Sequence, residues 1–309
     1  MAWTAANIPA QRGRLAIVTG TGGLGYETAR ELARAGARVI LAGRDADKGA
    51  ASVAKIRAGT SHADIRFEML DLASLESVEA FGTRMRDERV DLLVNNAGVM
   101  TPPNRKVTAD GFELQFGTNF LGHFALTAHL LPQLRRGTKP RVVTLSSLGA
   151  NHGKIDFDDV QSERRYRPLI AYNQSKLADL LFAFELERRS RMNGWGVTSI
   201  AAHPGLALTE LIPNGTGRSS VVSRISRLLG PVIMQSPAKG ALPTLFAATS
   251  PDARGGAYYG PGGFGGIRGA TALTTPPAAA LDVVAAARLW EIAERLTGVT
   301  FDPASRPAD

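Results

Sequence analysis

The chain contains no cysteine, which excludes a disulfide framework, a thiolate metal site and a cysteine nucleophile. Its apolar runs all fall short of the ~18 residues that a membrane-spanning helix needs, so no membrane span is expected. Residues 1–13 lack the charged start, apolar core and small-residue cleavage site of a secretory leader; the expected compartment is the cytoplasm. Lysine is scarce, 7 residues against 29 arginines, so the net charge of +8 is carried by arginine. The basic residues are dispersed, and no nucleic-acid-binding motif accompanies them. Nucleic acid is therefore not an expected partner, and the charge reads mostly as solvated surface, helped by a phosphorylated cofactor. The five histidines, at 62, 123, 129, 152 and 203, form no pair at metal-ligand spacing, and no metal is expected.

What is present is the composition of a globular protein, 44% hydrophobic and 21% charged over 309 residues, long enough for one large α/β domain or two ordinary ones. No Pro/Ser-rich linker and no internal repeat divides it, so residues 1–309 are expected to form one domain.

Residues 14–19 are a short apolar, β-branched run that reads as a buried strand. It leads directly into Gly20-Thr21-Gly22-Gly23-Leu24-Gly25, then a helical pattern over 26–35 closed by Gly36. A second strand, 38–42, ends at Gly43-Arg44. Strand, glycine turn, helix and strand in this order form the unit that seats a dinucleotide pyrophosphate at a helix N-terminus. The alternation continues with strands predicted at 65–70, 91–94, 141–145 and 197–201 and helices at 75–86, 111–134 and 169–191. Each strand ends in polar or small residues: Asp71-Leu72, Asn95-Asn96-Ala97-Gly98, Ser146-Ser147 and His203-Pro204-Gly205. In a doubly wound parallel sheet, ligands collect at these carboxyl ends. The predicted fold class is accordingly α/β, a Rossmann-like doubly wound parallel sheet.

One helix carries Tyr172-Asn173-Gln174-Ser175-Lys176. Residues four apart share a helix face, and an ammonium beside a phenol favours the phenolate, which suits the pair to proton transfer at a carbinol or carbonyl oxygen. A lone Tyr-x-x-x-Lys arises by chance roughly 0.1 times in such a chain; its weight comes from the strand-end residues around it.

Three segments depart from the alternation. Residues 148–167 form a long polar excursion. Residues 206–236 combine Asn214-Gly215-Thr216-Gly217 with an apolar stripe at helical spacing, read as a substrate lid in preference to a packed helix. Residues 258–269 are glycine-rich. Helices are predicted at 237–248 and 281–296, with a frayed tail at 303–309.

Together these residues resemble the short-chain dehydrogenase/reductase family over nearly the whole chain, most closely its retinol-dehydrogenase-like and carbonyl reductase members. The resemblance rests on Asn95-Asn96-Ala97-Gly98, on Phe116-Gly117-Thr118-Asn119-Phe120-Leu121-Gly122-His123-Phe124, on Ser146-Ser147, on the tyrosine–lysine helix and on His203-Pro204-Gly205. It implies Tyr172 as general acid/base and Lys176 as the cation beside it that also holds the nicotinamide ribose. It implies Ser147, not Ser146, as the hydrogen bonder to the substrate oxygen, and Asn119 as support for a relay to Lys176. Gly20, Thr21, Gly22, Gly23, Leu24 and Gly25 would cradle the pyrophosphate. Asp71 and Leu72 would flank the adenine, and Asn96 would lie near the adenosine ribose. Pro204, Gly205, Ala207 and Thr209 would line the nicotinamide and its phosphates. The cofactor half is expected at about 14–147 and the catalytic and substrate half at about 148–300.

Each role has a plainer alternative: Asp71 as a helix cap, Asn95 as a strand-to-strand hydrogen bonder, His203 as strand-end packing, and His123 and His129 as groups facing helix neighbours. The glycine loop is one residue shorter than the family's usual pattern and satisfies Gly-x-Gly-x-x-Gly through Gly20, Gly22 and Gly25. Arg44, where an acidic residue would favour NAD, points to NADP(H), with a surface pair to Asp45 or Asp47 as the alternative. The expected activity is NADP(H)-dependent interconversion of a carbonyl and an alcohol on a bulky hydrophobic small molecule, by a monomer or homo-oligomer. Two rivals are a dinucleotide-binding sensor without turnover and a redox-neutral or C=C-reducing enzyme on the same fold.

Overall fold

The computed structural model describes residues 2–206 and 235–301, with the Phe264 side chain excepted. Eight strands form one sheet in the order β3-β2-β1-β4-β5-β6-β7-β8. They are β1 (Leu15–Thr19), β2 (Arg38–Gly43), β3 (Ile65–Met69), β4 (Leu92–Asn95), β5 (Arg141–Leu145), β6 (Thr198–Ala202), β7 (Tyr258–Pro261) and β8 (Thr271–Leu273). All neighbours pair in parallel except β7 and β8. The helices are α1 (Gly23–Arg34), α2 (Ala46–Gly59), α3 (Leu75–Arg84), α4 (Gly122–Arg135), α5 (Pro168–Met192), α6 (Leu242–Thr249) and α7 (Val283–Thr297).

The central strands read as unbroken apolar runs because helices cover both faces of the sheet. All five residues of β1 are buried, and they alternate between two cores as the strand pleat requires. Leu15 and Ile17 join one core with α4, α5 and α7; Ala16 and Val18 join the other with α1 and α6. The few aromatics are concentrated in the first core, where Phe124, Phe182, Trp290 and Phe301 pack with ring centroids 4.4–6.3 Å apart. They fasten α4, α5 and α7 together. As a result α5 is buried around almost its whole circumference from Ala171 to Leu186, and its polar residues are held rigidly.

Part of the arginine-rich surface is ion-paired among the described residues. Arg30 and Arg34 meet Glu31, Arg66 meets Glu68 and Glu88, and Arg188 and Arg189 meet Glu185.

The chain leaves β1 toward β2 and β3 on one side and returns to β4 on the other. The β1/β4 boundary is thus the topological switch point, the place where sheets of this class bind ligands at the strand carboxyl ends.

Several elements differ from the sequence-based expectation. The helix expected from 111 begins at Phe116, because Val107 and Glu113 form a bridge first, and its opening turn, Phe116–Leu121, is a π-turn. The helix expected over 237–248 breaks into Pro237–Gly240 and α6, with Pro243 in the first turn of α6. The glycine-rich stretch 258–269 begins with β7, and β8 follows directly after it. Of the expected lid, all but Leu206, Gln235 and Ser236 lies outside the described residues, as do Ala207, Thr209 and the tail at 303–309. The ends flanking that segment meet: Gln235 N donates to Leu206 O at 2.8 Å, and its Nε2 donates to Pro204 O at 2.5 Å.

Candidate active site

The glycine turn begins where β1 ends. Gly20 (φ +94°) and Gly23 (φ +51°) adopt backbone conformations that disfavour a side chain. Gly25 has a different reason to be glycine: a Cβ there would lie 2.1 Å from Gly20 O and 2.7 Å from Asn96 Nδ2. At Gly22 a Cβ would meet nothing within 4 Å. Gly22 is also the N-cap of α1, with no side chain capping the helix. Gly25 N already donates to Gly22 O at 3.1 Å, which leaves the Gly23 and Leu24 N–H groups without a partner among the described residues at the start of α1, and these residues fit a pyrophosphate. We predict that Gly25→Ala loses about 1–3 kcal/mol of stability by overpacking, measured by chemical denaturation. Gly22→Ala should keep its stability but bind dinucleotide more weakly; an unchanged dissociation constant would place the pyrophosphate elsewhere.

Thr19 ties this turn to the rest of the site. Its Oγ1 accepts from Asn96 N at 2.9 Å and Ala97 N at 3.0 Å, and lies 2.9 Å from His123 Nε2. Burial pushes His123 down to about 3, so the ring is neutral. Asn119 O can only accept, so Nδ1–H donates to it at 2.8 Å, and the neutral ring's Nε2 accepts from the Thr19 hydroxyl. His123 thus faces a helix neighbour through one nitrogen only; the other reaches across to β1. Asn96 Nδ2 donates to Thr19 O at 2.7 Å, which places Asn96 beneath the glycine turn with its amide N–H engaged. Asn95 bonds Thr127 on α4 and not a neighbouring strand, because the side chain at this β4 position points to the helical layer.

Asn119 lies in the π-turn. Its side chain clasps Val99, accepting from N at 2.7 Å and donating to O at 3.0 Å, and also donates to Ser175 Oγ at 2.9 Å. Ser175 Oγ in turn donates to Tyr172 O at 2.8 Å. A Cβ on Gly98 would sit 3.1 Å from Asn119 Oδ1 and 3.8 Å from Lys176 Nζ, so Gly98 leaves room for both side chains.

On α5, Tyr172 and Lys176 are both buried, 6% and 5% exposed. The Tyr172 hydroxyl makes no hydrogen bond to another described residue. Gly149 lets the turn after β5 press against the Tyr172 ring, since a Cβ would meet Cε1 at 3.2 Å. The two serines after β5 separate by geometry. Ser146 is buried and its hydroxyl donates to Lys176 O at 2.7 Å. Half-buried Ser147 accepts from Gly149 N at 3.2 Å, which leaves its O–H free to donate.

The other expected residues among those described follow the carboxyl ends of β2, β3 and β6. Arg44 follows β2, exposed and without a hydrogen bond or ion pair among the described residues. Asp45 caps α2 through Lys48 N at 3.0 Å and pairs with Lys48 Nζ at 3.6 Å. Gly43 is filled by its neighbour: a Cβ would lie 2.8 Å from Thr21 Cγ2. Asp71 does not cap α3; Ser74 does. Asp71 Oδ1 accepts from Ala73 N at 3.0 Å. Leu72 is buried, its carbonyl tight against Gly122. Gly205 (φ +66°) lets Leu206 N reach Ile267 O at 2.9 Å, pinning the Pro204–Gly205 turn to the glycine-rich loop. His203 packs at the strand end on Tyr258, its pKa lowered by burial to about 4.

Two groups at the site escaped the sequence reading. Gln115 links the loop after β4 to the excursion before α5, accepting from Thr101 N at 2.7 Å and donating to Pro168 O at 3.0 Å and Tyr166 Oη at 3.2 Å. Buried Asp179 pairs with Lys176, Oδ2 to Nζ at 2.8 Å. The i,i+3 spacing of Asp179 from Lys176 was the available signal.

Residues 14–216 match the sequence model of the short chain dehydrogenase family. Human retinol dehydrogenase 13 is 42% identical over 296 residues, covering 93% of this chain and 85% of the relative. Mouse polyprenol dehydrogenase is 43% identical over 302 residues, covering 94% and 86%. The crystal structure of an uncharacterised protein from Mycobacterium paratuberculosis superposes with a TM-score of 0.80 at 39% identity, covering 98% of this chain and all of that one. With this sheet order and these matches, the chain belongs to the short-chain dehydrogenase family, in its retinol-dehydrogenase-like branch, and is an alcohol dehydrogenase-type oxidoreductase that binds NAD(P).

Proposed function

We propose that this oxidoreductase prefers NADP(H) and interconverts a carbonyl and an alcohol on a bulky hydrophobic small molecule. What supports the reading is a free Ser147 hydroxyl just after β5, and Tyr172 and Lys176 buried one turn apart on α5, at the strand end of the sheet where α1 also begins. The nicotinamide supplies the hydride in reduction and accepts it in oxidation. Ser147 and Tyr172 hydrogen-bond the carbonyl oxygen, and Tyr172 donates its proton as that oxygen becomes an alkoxide. Lys176 keeps positive charge beside the phenol and reaches the nicotinamide ribose. Asn119 holds the Val99 loop and, through Ser175, the turn of α5 that carries Tyr172. The open first turn of α1 takes the pyrophosphate, and Arg44 takes the 2′-phosphate.

The exposed Leu169 and Ile170, 57% and 55% accessible and just before Tyr172 on α5, give the site an apolar approach. A hydrophobic substrate also agrees with the relatives' names, which specify retinol and polyprenol. Among the described residues no helix is long and apolar enough to cross a membrane.

The test is NADPH consumption against a panel of bulky ketones and aldehydes, with product analysis. Turnover to the corresponding alcohols is expected. Tight NADPH binding without turnover would favour a sensor, and reduction of a conjugated C=C bond would favour the other rival.

A further inference from the structure

Lys176 is held from below by a carboxylate that the chemistry above does not use. Its Nζ donates to Asp179 Oδ2 at 2.8 Å and to Leu145 O at 3.1 Å. An ammonium has three N–H donors, so two are fixed by the protein and one is left for the site. Asp179 is 2% exposed, and its Oδ1 is buried without a partner among the described residues. A lone buried carboxylate is costly, yet among the described residues only Lys176 is paired with this one.

We propose that Asp179 is a positioning residue that anchors the Lys176 ammonium and, by cancelling much of its charge, sets the pH at which Tyr172 can take a proton. This inference rests on the roles given above to Tyr172 and Lys176. Burial works against charge on Lys176, but Asp179 and Tyr172 together hold its pKa above the ordinary lysine value. The same burial raises Asp179, with Lys176 pulling it back.

Among the described residues, the other titratable groups facing this cluster are His123 from α4, which burial keeps neutral, and Tyr258 from β7, whose phenol burial pushes up. Neither changes charge near neutral pH. Asp179 and Tyr172 are seven residues apart on one helix face, about 10 Å along the axis. Removing the carboxylate charge at that distance favours the phenolate.

The experiment is the pH–rate profile for alcohol oxidation with saturating NADP⁺ in the wild type and Asp179→Asn, which keeps an acceptor for Lys176 but not the charge. Oxidation needs the deprotonated phenol, so its midpoint should move toward acid by about one pH unit, while the NADP⁺ dissociation constant changes less than about threefold. A profile that coincides with the wild type would overturn the proposal, even if the variant were less stable. Asp179→Glu keeps the charge and should keep the wild-type midpoint; a shift like that of the asparagine variant would count equally against it.

Should the asparagine variant not fold, ¹⁵N-lysine NMR of the wild type decides. An anchored ammonium gives one exchange-protected signal among the 7 lysines; its absence would overturn the anchoring. Tyr172→Phe, assayed alongside, separates the two levels. If it stays active, the catalytic reading itself fails; if it is inactive and the asparagine profile is unmoved, only the role of Asp179 fails.

Discussion

Tyr172→Phe is expected to lower carbonyl reduction by about 10²–10⁴-fold, the range for losing a positioned general acid, while fold and NADPH binding persist. The phenol ring is packed between Gly149 and the body of α5, and phenylalanine fills the same volume. The hydroxyl has no hydrogen-bond partner among the described residues, so its removal leaves no orphaned group behind. The loss should therefore appear in kcat with little change in thermal stability. Single-turnover reduction with a substrate whose chemistry is slow is the measurement, because product release would mask part of the effect. More than half of wild-type turnover would falsify the assignment.

Signals that act over a few residues made much of this molecule readable in advance. The run from 14–19 into Gly20 and on to α1 is local: apolar β-branched residues, then glycines that permit the turn. The observed β1 and α1 follow the same order. The edge of the sheet was not readable. β7 contains Gly260 and Pro261, poor strand formers, and it forms because β6 offers parallel partners at Ala201 and Ala202. No local pattern marks a π-turn, so without the family resemblance Asn119 reads as an ordinary helix residue. Its clasp on Val99 closes between groups 20 residues apart. Two adjacent serines also look alike on paper, and what separates them is tertiary: the Ser146 hydroxyl meets the carbonyl of Lys176, 30 residues on. Asp179 was overlooked for the opposite reason. Its spacing from Lys176 was plain, but an acid on a helix is by default a solvated one, and only the burial of α5 makes it a partner of the site.

Arg44→Ala is expected to weaken NADPH binding by about ten- to a hundredfold and NADH binding far less. NAD enzymes of this fold commonly end the second strand with an acidic side chain on the adenosine ribose. Here β2 ends at Gly43, and the space beside it is taken by the Thr21 methyl group. A side chain at that position would meet the Thr21 methyl group, and Gly43 itself offers neither a ribose acceptor nor a charge to repel a 2′-phosphate. The alternative for Arg44 was a surface pair with Asp45 or Asp47. Asp45 caps α2 and meets Lys48, and Arg44 has no ion pair among the described residues. An arginine that need not break a salt bridge to bind a ligand can give the phosphate its full charge-assisted hydrogen bonds. Such bonds contribute roughly 1.5–3 kcal/mol net, which is the source of the expected range. Dissociation constants for NADPH and NADH, measured by titration in the wild type and the variant, decide the matter. The NADPH constant alone should move strongly; equal losses for both would mean that Arg44 supports the turn and does not read the phosphate.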